Sequence, residues 1–266
     1  MSNSTYNGIL RSIKARRQKA ALQSAVVLVA VIGFSYHTGL FDPTRLLDGV
    51  PSILSLMAEG LPPDFSAGRT WLRPLFDTLA MSVAGTALAL GLALPLGFLA
   101  ARNTAPNKTI YRVARTTLNV LRSIPELIMG IIFVAAVGFG ALPGVLALGL
   151  HSVGMVGKFI SESIEHVANE PIEAVRAVGA TPLQVIVHGV WPQVMAQIAD
   201  IAIYRWEYNF RASTVMGMVG AGGIGFELMG SLRLMRYSEV SALLLVILAT
   251  VTVVDAVGIN LRKRLK

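Results

Sequence analysis

Six mainly apolar stretches, most of them close to bilayer length, constrain this chain more than any other feature. A helix needs about 20 apolar residues to cross a hydrocarbon core about 30 Å thick. The stretches cover about residues 20–36, 75–101, 123–139, 142–160, a fifth starting near 193, and 240–260. Hydrophobic residues make up 54% of the chain, which is more than one soluble core needs, and charged residues make up only 14%. The sequence therefore predicts an all-α, polytopic membrane protein with about six transmembrane helices.

The basic residues lie in three clusters that flank these stretches. The clusters fall within residues 11–19, 102–122 and 262–266. They account for the net charge of +8, and the two terminal clusters carry no interleaved aromatic residues, so membrane orientation explains them better than nucleic acid does. Because Lys and Arg favour the cytoplasmic side, we predict that both termini and the 102–122 loop are cytoplasmic.

The first part of the chain, residues 1–74, is predicted to hold a basic tail, the first transmembrane helix and an outside loop. Within that loop, residues 44–60 have apolar side chains at helical spacing. This amphipathic helix could lie on the membrane surface or pack on the protein, and the sequence leaves both open. Residues 75–266 are predicted to form the core transmembrane domain.

The segment 169–192 is polar and interrupted by helix breakers, although apolar stretches lie on both sides of it. Asn169 predicts a helix start and Gly179 a left-handed stop. Thr181 followed by Pro182 predicts the start of a second short helix. We therefore expect a bent pair of short cytoplasmic helices.

On the first short helix, the small side chains of Ala174 and Ala177, together with Val178, form a narrow face. The segment resembles the cytoplasmic signature of ABC importer permeases: E-A-A, three residues, G, nine residues, I-x-L-P. The matching positions are Glu173, Ala174, Gly179 and Pro192, whereas the chain departs from the signature at Val175, Gly189 and Trp191. The resemblance implies that Glu173, Ala174, Ala177, Gly179 and Pro192 couple the chain to a separate ATPase subunit. An ordinary helical hairpin with coincidental spacing is the alternative.

Ionisable residues lie inside the predicted fifth span. Burying a charge in the membrane costs free energy, so such residues usually face a translocation pathway or pair with one another. At helical spacing, one stripe holds Asp200, Tyr204, Glu207 and Arg211, and the opposite side holds Arg205 and Asn209. We predict that Glu207 pairs with Arg211 four residues on. As a hypothesis, Arg205 or Arg211, with Glu207 and Asn209, lines a translocation pathway for an anion. An internal ion-pair lattice that only locks helices together is the alternative.

A glycine cluster at Gly220, Gly222, Gly223 and Gly225 follows this stripe. The spacing G-x-G-x-x-G suggests a dinucleotide site, but no strand–helix–strand unit surrounds it. Close backbone approach or a broken helix near the outer membrane face explains these glycines better. The sequence shows no catalytic constellation, no metal-ligand spacing and no phosphate-binding loop G-x-x-x-x-G-K-[ST], so we predict that the chain is not an enzyme.

Longer runs sharpen the resemblance. The runs LPLGFLAARNTAPN, LRSIPELIMGIIFVAAVGFG, ALGLHSVGMVGKFISESIE and YRWEYNFRASTVMGMVGAGGIGFEL are similar to the permease subunit of phosphonate/phosphite ABC importers. This resemblance implies a type I importer in the bacterial cytoplasmic membrane, working by alternating access. It also implies a second permease subunit in a homodimer, two ATPases that hold ATP and Mg²⁺, and an extracytoplasmic binding protein. No cofactor is expected on this chain itself.

Two other classes of protein remain at this point. An ion-coupled secondary transporter would share the spans and the buried charges but would need no ATPase, and it should show internal repeats, which the sequence lacks. A membrane-embedded enzyme would need a nucleophile–base pair or a metal site. The sequence does not choose among phosphonate, phosphite, phosphate and related oxyanions.

Overall fold

The computed structural model describes residues 3–265, which divide into two compact units at Glu59 and Gly60. In the first unit, α1 spans Asn3–His37 and α2 spans Pro43–Glu59. The amphipathic helix predicted over 44–60 is therefore confirmed as a helix, and its place on a membrane surface stays a prediction.

The second unit holds nine helices within the described residues. They are α3 (Leu72–Leu99), α4 (Lys108–Ser123), α5 (Glu126–Val137), α6 (Ala141–Glu165), α7 (Asn169–Ala177), α8 (Pro182–Val185), α9 (Trp191–Met216), α10 (Ile224–Arg233) and α11 (Tyr237–Leu265). A π-helical turn precedes α9 at Ile186–Val190, and another follows it at Gly217–Ala221.

The six predicted spans correspond to four single helices and two bent helix pairs. Among residues 3–265, four helical segments are long and apolar enough to cross a bilayer alone: residues 16–37 of α1, then α3, α6 and most of α11. Two bent pairs raise the number to six if each pair is one span: α4 with α5, and α8–α9 with α10. The all-helical membrane fold is confirmed.

The third predicted span, 123–139, has the wrong boundaries and is not one straight helix. Residues 108–123, predicted as a basic loop, form α4, and α5 continues from it after an 85° bend. With 12 residues, α5 is about 18 Å long, too short to cross a bilayer alone. The bend falls at Ile124 because Pro125 disfavours helical backbone in the residue before it, and Ile124 is extended (φ −85°, ψ 120°).

The second bend separates the segment containing α9 from α10 by 58°. Gly222 (φ +75°) and Gly223 (φ +74°) adopt left-handed backbone there, which side chains with a Cβ rarely tolerate. The Thr78 hydroxyl of α3 accepts a hydrogen bond from the backbone N–H of Ile224 at 2.9 Å. A side chain from another helix therefore caps the start of α10.

The predicted domain boundary at 74/75 lies beyond residues 60–71, which belong to the second compact unit. Trp71 is buried there in a cluster with Ile224, Ala242 and Leu243. The segment before α3 is thus packed against the N-terminal parts of α10 and α11.

Small residues let the helices of the second unit approach closely. A methyl group added at Gly149 of α6 would lie 2.6 Å from Leu88 Cδ2 of α3, and one added at Gly97 would lie 2.6 Å from Ile160 Cγ2. Such small-residue contacts are typical of helix packing in lipid, where van der Waals contact replaces the hydrophobic effect as the driving force. α3 and α6 therefore form the centre of this unit.

We expect Gly154→Ala to destabilise the chain by about 1–3 kcal/mol, because the new methyl group would overpack the contact between α6 and α4. It would lie 2.6 Å from Arg122 N and 2.7 Å from Leu118 O, which are backbone atoms. The measurement is the Tm in detergent. Gly91→Ala is the control, since no described atom lies within 4 Å of its new methyl group. Equal Tm values for the two variants would contradict the predicted contact.

Candidate functional site

Polar side chains gather where the bend between α4 and α5 meets the middle of α6. His151 Nδ1 lies 3.0 Å from the carbonyl oxygen of Ile124, which the bend leaves without a helical partner. Glu126 begins α5 directly after the bend, and its Oε2 lies 3.9 Å from His151 Nε2. The bend therefore places a carboxylate and an imidazole side by side inside a predicted span.

A chain of buried hydrogen bonds extends from this point through α6 and α9 to α3. Arg205 Nε donates to Ser152 Oγ at 2.7 Å, and Ser152 Oγ donates to Asn209 Oδ1 at 3.0 Å. Asn209 Nδ2 in turn donates to Thr86 Oγ1 at 2.9 Å. Asn209, predicted as a pathway residue, is completely buried in this chain, so in this conformation it positions Ser152 and contacts no open space.

Arg205 is held from two sides and still has a free donor. Its guanidinium carbon lies 4.2 Å from the centre of the Tyr208 ring, and the Tyr208 hydroxyl donates to Glu126 Oε1 at 3.1 Å. The Arg205 side chain is buried, yet its Nη2 has no hydrogen-bond partner among the residues that the structure describes. An unpaired buried guanidinium N–H is costly unless an acceptor binds there.

We call the space beside this guanidinium the mid-helix cavity. It has a volume of about 130 Å³, and its polar lining is formed by His151, Tyr204, Arg205 and Tyr208. A larger open groove of about 650 Å³ shares Phe159, Ile201 and Tyr204 with it. That groove continues towards the end of α6, where Glu162 and Asp200 line it. The two spaces follow α6 and α9 in succession, with Arg205 at one end and the carboxylates of Glu162 and Asp200 at the other.

The predicted pairing of Glu207 with Arg211 is wrong. The Glu207 carboxylate is buried and pairs with Arg262 of α11, at 2.8 Å and 3.0 Å between the paired atoms. Arg211 pairs with Asp255 of the same helix at 2.8 Å, and both of those side chains are substantially exposed. The close packing of α11 on α9 brings a tertiary partner nearer than the residue one turn away. A methyl group added at Gly258 of α11 would overlap the Glu207 carboxylate.

This geometry distinguishes the two pathway candidates. Glu207 and Arg211 fit the structural ion-pair alternative, since each joins α9 to α11. Of the four residues predicted for the pathway, Arg205 lines the mid-helix cavity, and its Nη2 is buried without a hydrogen-bond partner among the described residues.

We expect Arg262→Ala to lower stability by about 1–3 kcal/mol, because it leaves the buried Glu207 carboxylate without its partner. The matched variant Arg211→Ala removes an exposed pair and should cost less than about 1 kcal/mol. Thermal unfolding of the two purified variants in detergent gives the comparison. A larger loss for Arg211→Ala would contradict this assignment.

The α7–α8 segment presents a second candidate surface. Ile172 is buried against the core, whereas Ala174, Ala177 and Val178 are exposed. Gly179 has φ +82° and turns the chain away from α7, and Thr181 and Gln184 form a reciprocal cap at the start of α8. Ala168, rather than the predicted Asn169, occupies the cap position of α7, and its side chain forms no cap hydrogen bond.

The remaining two predicted coupling residues, Glu173 and Pro192, lie on different helices. Glu173 is exposed on α7, while Pro192 lies in the first turn of α9, where its missing N–H has no consequence. The neighbouring Gln193 amide accepts from Ala168 N at 3.0 Å and donates to Ala168 O at 3.3 Å. It also donates to Gly189 O at 2.6 Å. Gln193 thus ties the start of α7 to the start of α9, the helix that carries Arg205.

The basic residues near the ends of α4 and α6 form their own network. Glu165 Oε1 accepts from Arg102 N at 2.9 Å, and its Oε2 pairs with Arg115 at 3.3 Å. The hydrogen bond from Arg102 Nε to the Tyr111 hydroxyl raises the pKa of Arg102 above its ordinary value. These contacts fix the loop between α3 and α4 at the end of α6.

Several site residues escaped the sequence analysis. Thr86, Glu126 and Ser152 contribute to the buried cluster from other helices, whereas Tyr208 contributes from the turn of α9 that follows Arg205. The one signal was Glu126, a carboxylate directly after Pro125 at the start of an apolar run.

Comparison with known proteins identifies relatives over most of the chain. Residues 93–266 match the family model of the binding-protein-dependent transport system inner membrane component. The chain is 68% identical to the phosphite transport system permease protein PtxC of Stutzerimonas stutzeri, over 92% of this chain and 89% of that protein. It is 40% identical to the phosphate-import permease protein PhnE of Mycolicibacterium smegmatis, over 84% of this chain and 42% of that protein.

Solved structures agree with the fold. An inward-facing structure of the MetNI methionine ABC transporter aligns with a TM-score of 0.65 at 22% identity, over 74% of this chain and 96% of that one. A bacterial ABC transporter that imports alginate aligns with a TM-score of 0.64 at 15% identity, over 89% of this chain and 98% of that one. At these identities the likeness supports the fold alone. By the family match and the 68% identity, the chain belongs to the inner-membrane components of binding-protein-dependent transport systems.

Proposed function

We propose that this chain is the permease subunit of an ATP-driven importer for phosphite, a phosphonate or a related phosphorus oxyanion. The observation that carries the proposal is the buried Arg205 guanidinium in the lining of the mid-helix cavity. A guanidinium matches the geometry of phosphoryl oxygens and keeps its charge when buried. The similarity to PtxC supports the same class of substrate.

The mid-helix cavity and the groove below it form the pathway of one subunit. Arg205 attracts the anion into the middle of the span, beside the Tyr204, Tyr208 and His151 side chains that also line the cavity. Asp200 in the groove repels an anion at the far end, where Glu162 is paired with Lys158 at 3.2 Å. This arrangement favours release over rebinding once the pathway opens on that side.

The chain is a transport component, and ATP hydrolysis belongs to a partner. Two ATPase subunits, which hold ATP and Mg²⁺, dock on the exposed face of α7 and α8 that carries Glu173, Ala174 and Ala177. Gln193 passes the movement of α7 to α9. A second copy of this chain completes the pathway, and an extracytoplasmic binding protein delivers the substrate. Both termini and the α7–α8 segment face the cytoplasm, as the basic flanks require.

An ion-coupled secondary transporter is disfavoured, because the family matched by residues 93–266 is defined by dependence on a binding protein. The direct test is reconstitution of the permease in vesicles with its cognate ATPase and binding protein. ATP-driven uptake of phosphite supports the proposal. Uptake that follows an ion gradient without ATP, or no uptake of any phosphorus oxyanion, would overturn it.

A further inference from the structure

A basic cleft lies between α4 and α6, and we call it the α4–α6 cleft. It has a volume of about 170 Å³ and shares no described lining residue with the mid-helix cavity. Its lining consists of Arg115, Leu118, Asn119, Arg122, Lys158 and Ser161. Three of these described side chains are cations and none is a carboxylate, so the cleft favours an anionic group.

The cations of the cleft keep hydrogen-bond donors that their ion pairs do not use. Arg115 Nη2 lies 3.3 Å from Glu165 Oε2, and Lys158 Nζ lies 3.2 Å from Glu162 Oε1. A guanidinium has five N–H donors and an ammonium has three, so one ion pair saturates neither cation. Arg122 is exposed and has no ion pair among the residues that the structure describes. An anion in the cleft therefore finds unused donors on all three side chains.

Close packing of α4 on α6 makes these cations converge. A methyl group added at Gly154 of α6 would lie 2.6 Å from the backbone nitrogen of Arg122, so the two backbones are in direct contact. Lys158 follows Gly154 by four residues and shares that face of α6. On α4, Arg115, Asn119 and Arg122 are spaced by four and three residues and share one face too. The two faces meet at the cleft.

An apolar helix surface starts close to Arg122. α5 begins four residues after Arg122, and it exposes Ile128, Ile131 and Ile132 to 48%, 51% and 56%. These three residues share one helical face. α5 is about 18 Å long, and one leaflet of the hydrocarbon core is about 15 Å thick. A phosphate group attached to acyl chains can use both the cations and this apolar face, whereas a free anion uses only the cations.

We propose that the α4–α6 cleft is a phosphate-binding site for the headgroup of an anionic phospholipid in the cytoplasmic leaflet. Guanidinium groups bind phosphate oxygens in bidentate geometry, and basic pockets between transmembrane helices on the cytoplasmic side hold such headgroups. The predicted cytoplasmic position of the basic segment 102–122 places the cleft at that leaflet. The ligand belongs to the membrane, so this site goes beyond the transport function proposed above and does not depend on the transported anion.

The test is binding of phosphatidylglycerol and phosphatidylcholine to the delipidated full chain in detergent, with the bound lipid quantified by mass spectrometry. We expect the wild type to bind phosphatidylglycerol at least about tenfold more tightly, because the choline group cancels the phosphate charge. Arg122→Gln should lower the affinity for phosphatidylglycerol by about tenfold, since it removes a charged donor from the cleft. The matched control Arg112→Gln removes one charge from α4 outside the cleft lining, and it should stay within about twofold of wild type. Both positions are exposed, so both variants should keep the Tm of the wild type.

Equal affinity of the wild type for the two lipids, or equal losses in the two variants, would overturn the proposal. A competition experiment distinguishes a lipid headgroup from a free anion. Inorganic phosphate and chloride are added at equal ionic strength, and phosphatidylglycerol should stay bound in both. Displacement by phosphate but not by chloride would identify a free-anion site and overturn the lipid assignment. None of these measurements uses transport, so their failure leaves the proposed importer function standing, and a failed uptake assay leaves the lipid site standing.

Discussion

Arg205→Gln is expected to lower phosphite uptake by about 100-fold while leaving the assembled importer intact. The substitution removes the positive charge from the mid-helix cavity, and a charge-assisted contact in a desolvated site is worth several kcal/mol when one partner is truncated. Gln retains a donor that can reach Ser152, so the hydrogen-bond chain to Asn209 keeps its first member. The measurement is the initial rate of ATP-driven uptake in vesicles, normalised to the amount of copurified ATPase.

Arg211→Gln is the matched control, because Arg211 lies on the same helix but pairs with Asp255 in an exposed position. Its uptake rate should remain within about twofold of wild type, as expected for an exposed pair. Arg205→Lys should give an intermediate rate, since it keeps the charge but loses the planar fork. Normal uptake by a well-assembled Arg205→Gln importer would contradict the proposed role of Arg205 in the pathway.

Ala177→Leu is expected to weaken ATPase binding by at least about 30-fold, or about 2 kcal/mol, and to reduce uptake accordingly. Ala177 lies on the exposed small-residue face of α7. A larger side chain there would hold the partner away, yet it should leave the permease fold unchanged because the position is exposed. Pull-down of the ATPase with detergent-purified permease measures this loss.

Ala177→Ser provides the size-matched control and should bind the ATPase like wild type. The Tm of the two variant permeases should also agree, since neither side chain reaches the core. ATPase binding that is equal for Ala177→Leu and Ala177→Ser would remove the α7 face from the docking surface.

The features that the sequence predicted well are those set by local chemistry. Apolar length predicted the membrane fold, and the left-handed Gly179 with the Thr181 cap predicted the turn between α7 and α8. The break near Gly222 and Gly223 also follows from residue type, since glycine readily adopts positive φ.

The features that the sequence missed depend on which helices become neighbours. Glu207 pairs with Arg262, which lies 55 residues further on, and no periodicity along α9 indicates that partner. The basic residues of α4 were read as a loop because their charge outweighed their helical spacing, although Ala114 and Leu118 form a buried face. The four-residue chain from Arg205 to Thr86 crosses three helices, so only the tertiary fold brings it together.

The most direct measurement for the importer account is cross-linking of the Ala177→Cys variant in the assembled complex. The natural chain contains no cysteine, so the introduced thiol is unique in this subunit. The account predicts a cross-link to the ATPase, formed in membranes and protected from a membrane-impermeant thiol reagent added on the extracytoplasmic side. A thiol that reacts with that external reagent, or that never cross-links to the ATPase in a complex active in ATP-driven uptake, would contradict it.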